Sequence, residues 1–320
     1  MAYDELELII FRIEYLAPLV STVVIAESKL THKGESKTLY ISENLPENIK
    51  NKYNIVFLEL DISHFPNGWG KEIASRERLA DYVHESFPNS YFILSDVDEI
   101  PSIKQLESLQ TKEGIFHFRT PTYYRRANWA LKDSHRNWSR GVMGKTSQLP
   151  KINGGRMMNL PIIDIPNDNG VHLSYLELKN GAALNKISRV LDHKLDFSNV
   201  MKNSIVSLAD RAQVDHLGRA RNQGFGVLEI VEFVKLPPIL KALHTKNPDV
   251  FDFKINEEYP KRLLSSIFLS TLVHQARLLR KFEIEDTSVI GRLRSIRVIP
   301  LFVLESFHVF VRAIRRRLYR

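Results

Sequence analysis

The residues with the most chemistry to offer are Asp96-Val97-Asp98-Glu99. They follow an apolar run, Tyr91-Phe92-Ile93-Leu94-Ser95, and precede Ile100-Pro101. A short run rich in aromatic and branched residues predicts a buried strand. Proline disfavours helix at the residue before it, which places the acids on the loop leaving that strand. In open α/β sheets, ligands bind just outside the carboxyl ends of strands. Three carboxylates crowded there repel one another unless a positive group joins them. A hard divalent cation, Mg²⁺ or Mn²⁺, suits such oxygen donors, keeps several waters and binds substrate phosphates. The structural alternative is that the aspartates are turn or cap residues.

The flanking sequence predicts the elements that position this loop. Leu6, Ile9, Ile10, Ile13 and Leu16 recur at helical spacing. Thr22 to Ala26, Ile55 to Leu58 and Tyr91 to Leu94 read as strands, and Trp69 to Phe87 as a helix with Ile73, Leu79 and Val83 among its apolar positions. Glu27 to Lys37 is a polar loop at a strand end. Strands alternating with helices predict an α/β sheet with substantial parallel pairing. After Pro101 the pattern changes. Ile115 to Arg119 alternates as a strand does, and Tyr123, Tyr124, Trp129 and Trp138 cluster in a polar stretch. Their rings suit either a sugar or base face or ordinary interior packing. Asn153-Gly154-Gly155 and Pro166 to Gly170 are turn-rich. Ala182 to Leu191 reads as a helix, and the chain beyond Pro260 as helices to its end.

The net charge of +8 is unevenly spread. Thr287 to Arg320 holds eight arginines, no lysine and a single acid, Glu305. The other 286 residues hold 37 basic and 36 acidic side chains, so the body lacks the basic surface of a nucleic-acid binder. There is no cysteine, which excludes disulfides and thiolate metal sites. The acidic start, Met1 to Glu5, lacks a signal-peptide pattern, and the expected location is cytoplasmic. After Pro300, one helical face carries Val303, Leu304, Phe307, Phe310, Val311, Ile314 and Leu318, and the other carries Glu305, His308, Arg312, Arg315 and Arg316. The apolar run is shorter than the roughly 20 residues that span a bilayer. Residues 287–320 are therefore expected either to lie on an anionic membrane at its inner face or to dock on the body with arginines in water.

Several blocks together resemble glycosyltransferase family 17. These are Glu5-Leu6-Glu7-Leu8 with Arg12; Val24-Ile25-Ala26-Glu27-Ser28 with Thr31 and Gly34; Trp69 with Lys71-Glu72 and Arg76; and Ser95-Asp96-Val97-Asp98-Glu99-Ile100-Pro101. Phe118-Arg119, Tyr123-Tyr124, Asn128-Trp129, Val171-His172-Leu173-Ser174-Tyr175 and Lys186-Ile187 continue the series. The resemblance covers roughly residues 4 to 220. It implies a GT-A-type, Rossmann-like α/β domain over 1–250, without the strand with which family members open, and a helical basic extension over 260–320. It also implies a UDP-sugar donor (N-acetylglucosamine favoured), a glycan or lipid-linked acceptor, Mn²⁺ or Mg²⁺, and inversion at the anomeric carbon. Ser75, Glu77 and Val171 depart from the family pattern.

With that resemblance, Asp96, Asp98 and His172 are the expected metal ligands, Asp96 alternatively contacting the donor ribose. Glu27, Arg76, Arg119, Lys186 and Arg189 are expected on the donor side, where guanidinium pairs bidentately with phosphate. Glu99 is expected to act in the site as an acceptor that orients it. The base for the acceptor hydroxyl is sought among Asp164, Asp168, Glu177 and Asp215, Asp168 lying closest in sequence to His172. His193 is a further candidate. The rival readings are a non-catalytic carbohydrate- or membrane-binding descendant, and a phosphohydrolase with an aspartate nucleophile on a D-x-D loop. Ile100 stands where that second motif has threonine or valine.

Overall fold

Leu8, Ile9, Phe11, Ile13 and Leu16 are buried along one helix, α1 (Leu6–Leu16); Ile9, Ile13 and Leu16 fit the expected spacing, while Leu6 and Ile10 are only partly buried. The computed structural model describes residues 5–31, 34–65, 68–131, 137–151, 159–176, 178, 207, 209–210, 213–214 and 228–255. The architecture is mixed α/β with several sheets. After α1 come β1 (Val23–Glu27), α2 (Tyr40–Asn44), α3 (Glu47–Lys52), β2 (Ile55–Glu59), α4 (Gly68–Ser86) and β3 (Tyr91–Leu94). Next are β4 (Glu99–Ile100), α5 (Ile103–Leu109), β5 (Ile115–Phe118), β6 (Thr120–Tyr124), β7 (Trp129–Ala130), β8 (Asn137–Trp138) and β9 (Val142–Lys145). β10 (Ile162–Ile163), β11 (Val171–Ser174), β12 (Glu229–Ile230) and α6 (Pro238–Lys246) follow.

The described strands form three sheets. β1 and β2 pair in parallel, Val23 opposite Ile55. A second sheet runs β10-β5-β9-β3 and a third β12-β7-β6-β11-β4, with β8 beside β6. Parallel pairing also joins β10 to β5 and β11 to β6. The remaining pairs are antiparallel, including β3 with β9. The parallel pattern expected from strand–helix alternation therefore holds for the first two strands. It ends at β3, whose neighbour comes from some 50 residues downstream.

Among the described residues, two apolar cores lie against these layers. One gathers α1, Ile25, Ile41, Ile100, Phe118, Tyr123, Val171, Leu173 and α6; the other gathers Ala26, Leu79, Ala80, Phe92, Leu94 and Leu149. On α4 the apolar Ile73 is 52% exposed, while Lys71, Ser75 and Arg76 are buried. The burial is tolerable because Lys71 Nζ donates to the Ile62 carbonyl (3.0 Å) and Arg76 meets an aspartate described below. Of the aromatic cluster, Tyr123, Tyr124 and Trp129 are interior residues. No helix among the described residues is long and apolar enough to cross a membrane. The expected helix over 182–191 and the basic extension over 260–320 lie outside the described residues.

Candidate active site

The acid loop starts where β3 ends. Its turn is closed by the Glu99 N–H donating to the Asp96 carbonyl (3.1 Å). Arg12 of α1 supports it from within. Nη1 donates to the carbonyls of Asp96 (2.5 Å), Val97 (3.3 Å) and Glu99 (3.2 Å), and Nη2 to Ser95 Oγ (2.8 Å). Ser95 Oγ in turn donates to the Glu99 carbonyl (2.8 Å). Burial lowers the Arg12 pKa, while the charges of Glu99, Asp96 and Asp98 act to raise it. A guanidinium keeps its proton under such burial, so a fixed positive charge backs the three carboxylates.

Pairing of β4 with β11 brings the second half of the site alongside. Val171 lies opposite Ile100 and His172 opposite Glu99; on its other edge β11 sets His172 beside Thr122 of β6. The Leu173 N–H donates to the Asp98 carbonyl (2.8 Å). His172 Nε2 comes 3.9 Å from Asp98 Oδ2, and its Nδ1 lies 3.3 Å from Thr122 Oγ1. Trp138 on β8 stands over the histidine, ring centres 5.1 Å apart, and donates its indole N–H to Glu99 Oε1 (2.5 Å). The Asp96 N–H points to Glu99 Oε2 at 3.4 Å. Glu99 is 1% exposed and Asp98 6%. Arg76 of α4 pairs through Nη2 with Asp96 Oδ1, while its buried Nε makes no hydrogen bond.

Three of the expected residues, Asp98, His172 and Glu99, thus meet at the β4–β11 pair, with Asp96 and Arg76 paired at its edge. Glu27 is directed elsewhere: its carboxylate accepts the N–H groups of Ile41 (3.0 Å) and Ser42 (2.8 Å), fixing the start of α2. Arg119 lies 2.7 Å from Asp164. Asp168 lies 3.1 Å from Lys104, and its carbonyl accepts from Ser102 Oγ (2.6 Å). Lys186, Arg189, His193, Glu177 and Asp215 lie outside the described residues.

The loop carrying Asp164 and Asp168 is organised by Gln105. Its Oε1 accepts the N–H groups of Ser102 (3.0 Å) and Gly170 (2.9 Å), and its Nε2 faces the Arg119 carbonyl (2.9 Å) and Asn169 Oδ1 (3.0 Å). Gly170 then passes so close to β4 that a Cβ there would lie 2.2 Å from the Ile100 carbonyl oxygen. Sequence reasoning attached no role to Gln105, Thr122 or this glycine. It saw Trp138 only as one of a cluster, and Arg12 only as part of a resemblance.

A carboxylate oxygen and an imidazole nitrogen 3.9 Å apart can both ligate a divalent transition ion such as Mn²⁺, leaving its other positions to water and phosphate. No cluster of three or more His, Cys, Asp or Glu among the described residues forms a complete ligand set. Chemically, the site offers buried acid and imidazole donors beside an arginine that also lies 3.6 Å from Glu72 through Nε, a setting for a phosphorylated leaving group. A sequence profile of glycosyltransferase family 17 matches residues 1–176, more than half of the chain. The chain belongs to glycosyltransferase family 17. It is therefore a glycosyltransferase, an enzyme that moves a sugar from a donor to an acceptor, and the family implies a nucleotide sugar and a glycan in those two places. No curated protein sequence matches this glycosyltransferase.

Proposed function

We propose that this glycosyltransferase is a metal-dependent, inverting enzyme with a GT-A-type domain, which transfers a sugar from a UDP-sugar to a glycan or lipid-linked acceptor. The observation that carries the reading is the approach of His172 Nε2 to Asp98 Oδ2 at 3.9 Å, beside the Arg76–Asp96 pair. Family membership favours the UDP-sugar, with N-acetylglucosamine first.

Asp98 and His172 are the residues that would hold Mn²⁺ or Mg²⁺, which would supply Lewis-acid stabilisation of the departing diphosphate. Arg76, paired with Asp96 and Glu72, adds positive charge on the donor side. The acceptor hydroxyl oxygen forms a bond to the anomeric carbon, and the bond from that carbon to the diphosphate oxygen breaks. The leaving diphosphate takes the electron pair, and the hydroxyl proton passes to a carboxylate. Asp168 is assigned this proton, because Glu99 is buried under Trp138 and serves to orient the loop. Arg12 holds the loop in this shape before any donor arrives.

The test is release of UDP from UDP-N-acetylglucosamine, with Mn²⁺ and a panel of glycan and lipid-linked acceptors. The expected result is turnover that EDTA abolishes. Equal turnover in EDTA and Mn²⁺ removes the metal from the reading, and thermal stabilisation by GDP- or CMP-sugars alone removes the UDP-sugar.

A further inference from the structure

Lys71 is a buried lysine that the sugar transfer described above does not use. It is the fourth residue of α4 and is 7% exposed. Its Nζ donates to the Ile62 carbonyl (3.0 Å). One neutral acceptor makes the burial tolerable but leaves the charge uncompensated. Among the described residues Lys71 forms no ion pair. The carboxylates close to it in sequence are engaged elsewhere. Glu72 lies 3.6 Å from Arg76, and Glu59 2.8 Å from Lys29. Asp61 accepts from the Ser63 N–H (2.9 Å) and lies 3.5 Å from His64. The helix adds to the cost. Its amino-terminal end is a positive pole, where acids are favoured and lysines are not. α4 has no acid in its first turn. A buried cation at that pole is costly until an anion meets it.

The fold gives this cation a place. β1 and β2 run in parallel to Glu27 and Glu59, and the Leu60 N–H then donates to the Glu27 carbonyl (2.7 Å). Ile62 follows two residues later, so Lys71 Nζ lies just past the carboxyl ends of this pair. Open α/β sheets bind their ligands there. The same helix carries Arg76 to Asp96, past the end of β3. Five residues of helix separate the two cations, a rise of about 7.5 Å. One helix thus sets a cation at the end of each of two sheets. An ammonium has three N–H donors, and one is on Ile62. Two can therefore meet ligand oxygens without breaking that bond. A phosphoryl group offers several such oxygens and full negative charge, and lysine binds it as a point charge.

We propose that Lys71 is a phosphate-binding residue of the donor site. It takes phosphoryl oxygen of the nucleoside diphosphate from the β2 side, while Arg76 adds its charge from the β3 side. The proposal rests on the reading of the donor as a nucleotide sugar. Lys71 makes and breaks no covalent bond; its part is to bind and orient. The incoming anion removes a penalty that the free enzyme bears, and that relief adds to affinity.

Isothermal titration of the full chain with inorganic pyrophosphate and with UDP, both without divalent metal, tests this. Lys71→Gln removes the charge and keeps an N–H donor for Ile62, whereas Lys71→Met removes both. Both variants are expected to bind the two probes about 10–100-fold more weakly than the parent, the loss of one charged hydrogen bond. Ligand-free Lys71→Gln is expected to melt no lower than the parent, because a buried charge without a counter-charge is gone. A purely structural lysine gives the reverse pattern, lower melting temperatures with unchanged affinities, and that result overturns the proposal. Parent-like affinity of Lys71→Gln for pyrophosphate also overturns it, as does a parent that binds neither probe. A parent that binds pyrophosphate but not UDP, with both variants weakened, keeps the phosphate role of Lys71 and overturns the uridine reading alone.

Discussion

The indole N–H of Trp138 donates to Glu99 Oε1 at 2.5 Å, joining the hairpin strand beside β6 to the acid that follows the aspartates. Glu99 is buried, and its other oxygen faces the Asp96 N–H. Trp138→Phe keeps a ring over His172 but removes the donor. A buried carboxylate losing a hydrogen bond costs about 1–3 kcal/mol, expected as a lower melting temperature. Because the loss acts through the loop, the Mn²⁺ concentration for half-maximal activity is expected to rise about 10–100-fold. A metal titration of the variant at saturating donor checks this; an unchanged half-point separates Trp138 from the metal site.

Asp98→Asn preserves shape and removes charge. Turnover is expected to fall by at least about a thousandfold, since the carboxylate is the proposed counter-charge to the metal. The melting temperature is expected to stay close to the parent value, because Arg12 and the Glu99-to-Asp96 turn hold the loop without Asp98's charge. Steady-state kinetics and a thermal melt read the two effects separately. Activity within tenfold of the parent places the metal elsewhere.

Arg12 is expected to matter more for stability than any carboxylate it serves. Arg12→Ala leaves the Asp96, Val97 and Glu99 carbonyls without their donor and removes a buried positive charge that acts on three acids. Removing one member of a buried charged set costs about 3–5 kcal/mol. Arg12→Lys restores charge but not the fork that spans Ser95 and the carbonyls, so it recovers only part of the loss. Denaturant melts of both variants decide the order.

Tyr15 gives a pH dependence away from the site. Burial raises its pKa from 10.0 to about 12. The unfolded chain therefore ionises this phenol first as pH rises. The stability linked to the protonated form is fully present below pH 10 and is lost as pH climbs toward 12. Tyr15→Phe is expected to flatten that decline in a series of melts, and an unchanged slope assigns the decline to other groups.

The acid loop was legible because its signals are local: an apolar strand, three acids and a proline within a few residues. β1, β2, β3 and α4 were legible from period and composition for the same reason. What supports the loop was not. Arg12 lies 84 residues from the carbonyl of Asp96 it bonds, and no periodicity relates them. The partner of β3 is β9, a pairing that depends on chain reversals far downstream. Ile73 is apolar yet exposed, and α4 instead buries Arg76, whose charge Asp96 offsets, an arrangement no periodicity signals. Trp138 and Trp129 looked alike in sequence; one donates to Glu99, and the other to the Asp252 carbonyl in the interior.

Gly170 offers the sharpest test of how close the two halves of the site must come. The Gln105 carboxamide holds its N–H (2.9 Å), and β11 begins at the next residue. A methyl group at Gly170 would lie 2.2 Å from the Ile100 carbonyl oxygen and 2.7 Å from Pro101 Cα. Both are backbone, so no side-chain rotation relieves the clash, and β11 must move away from β4. That movement carries His172 from Asp98 and loosens the Leu173-to-Asp98 hydrogen bond. Gly170→Ala is therefore expected to lose at least about 1–3 kcal/mol of stability through overpacking. It is also expected to lose activity out of proportion to the fraction unfolded. Turnover measured well below the melting point, normalised to folded protein, separates these effects. Turnover equal to the parent under those conditions shows that the spacing of β4 and β11 does not govern the chemistry.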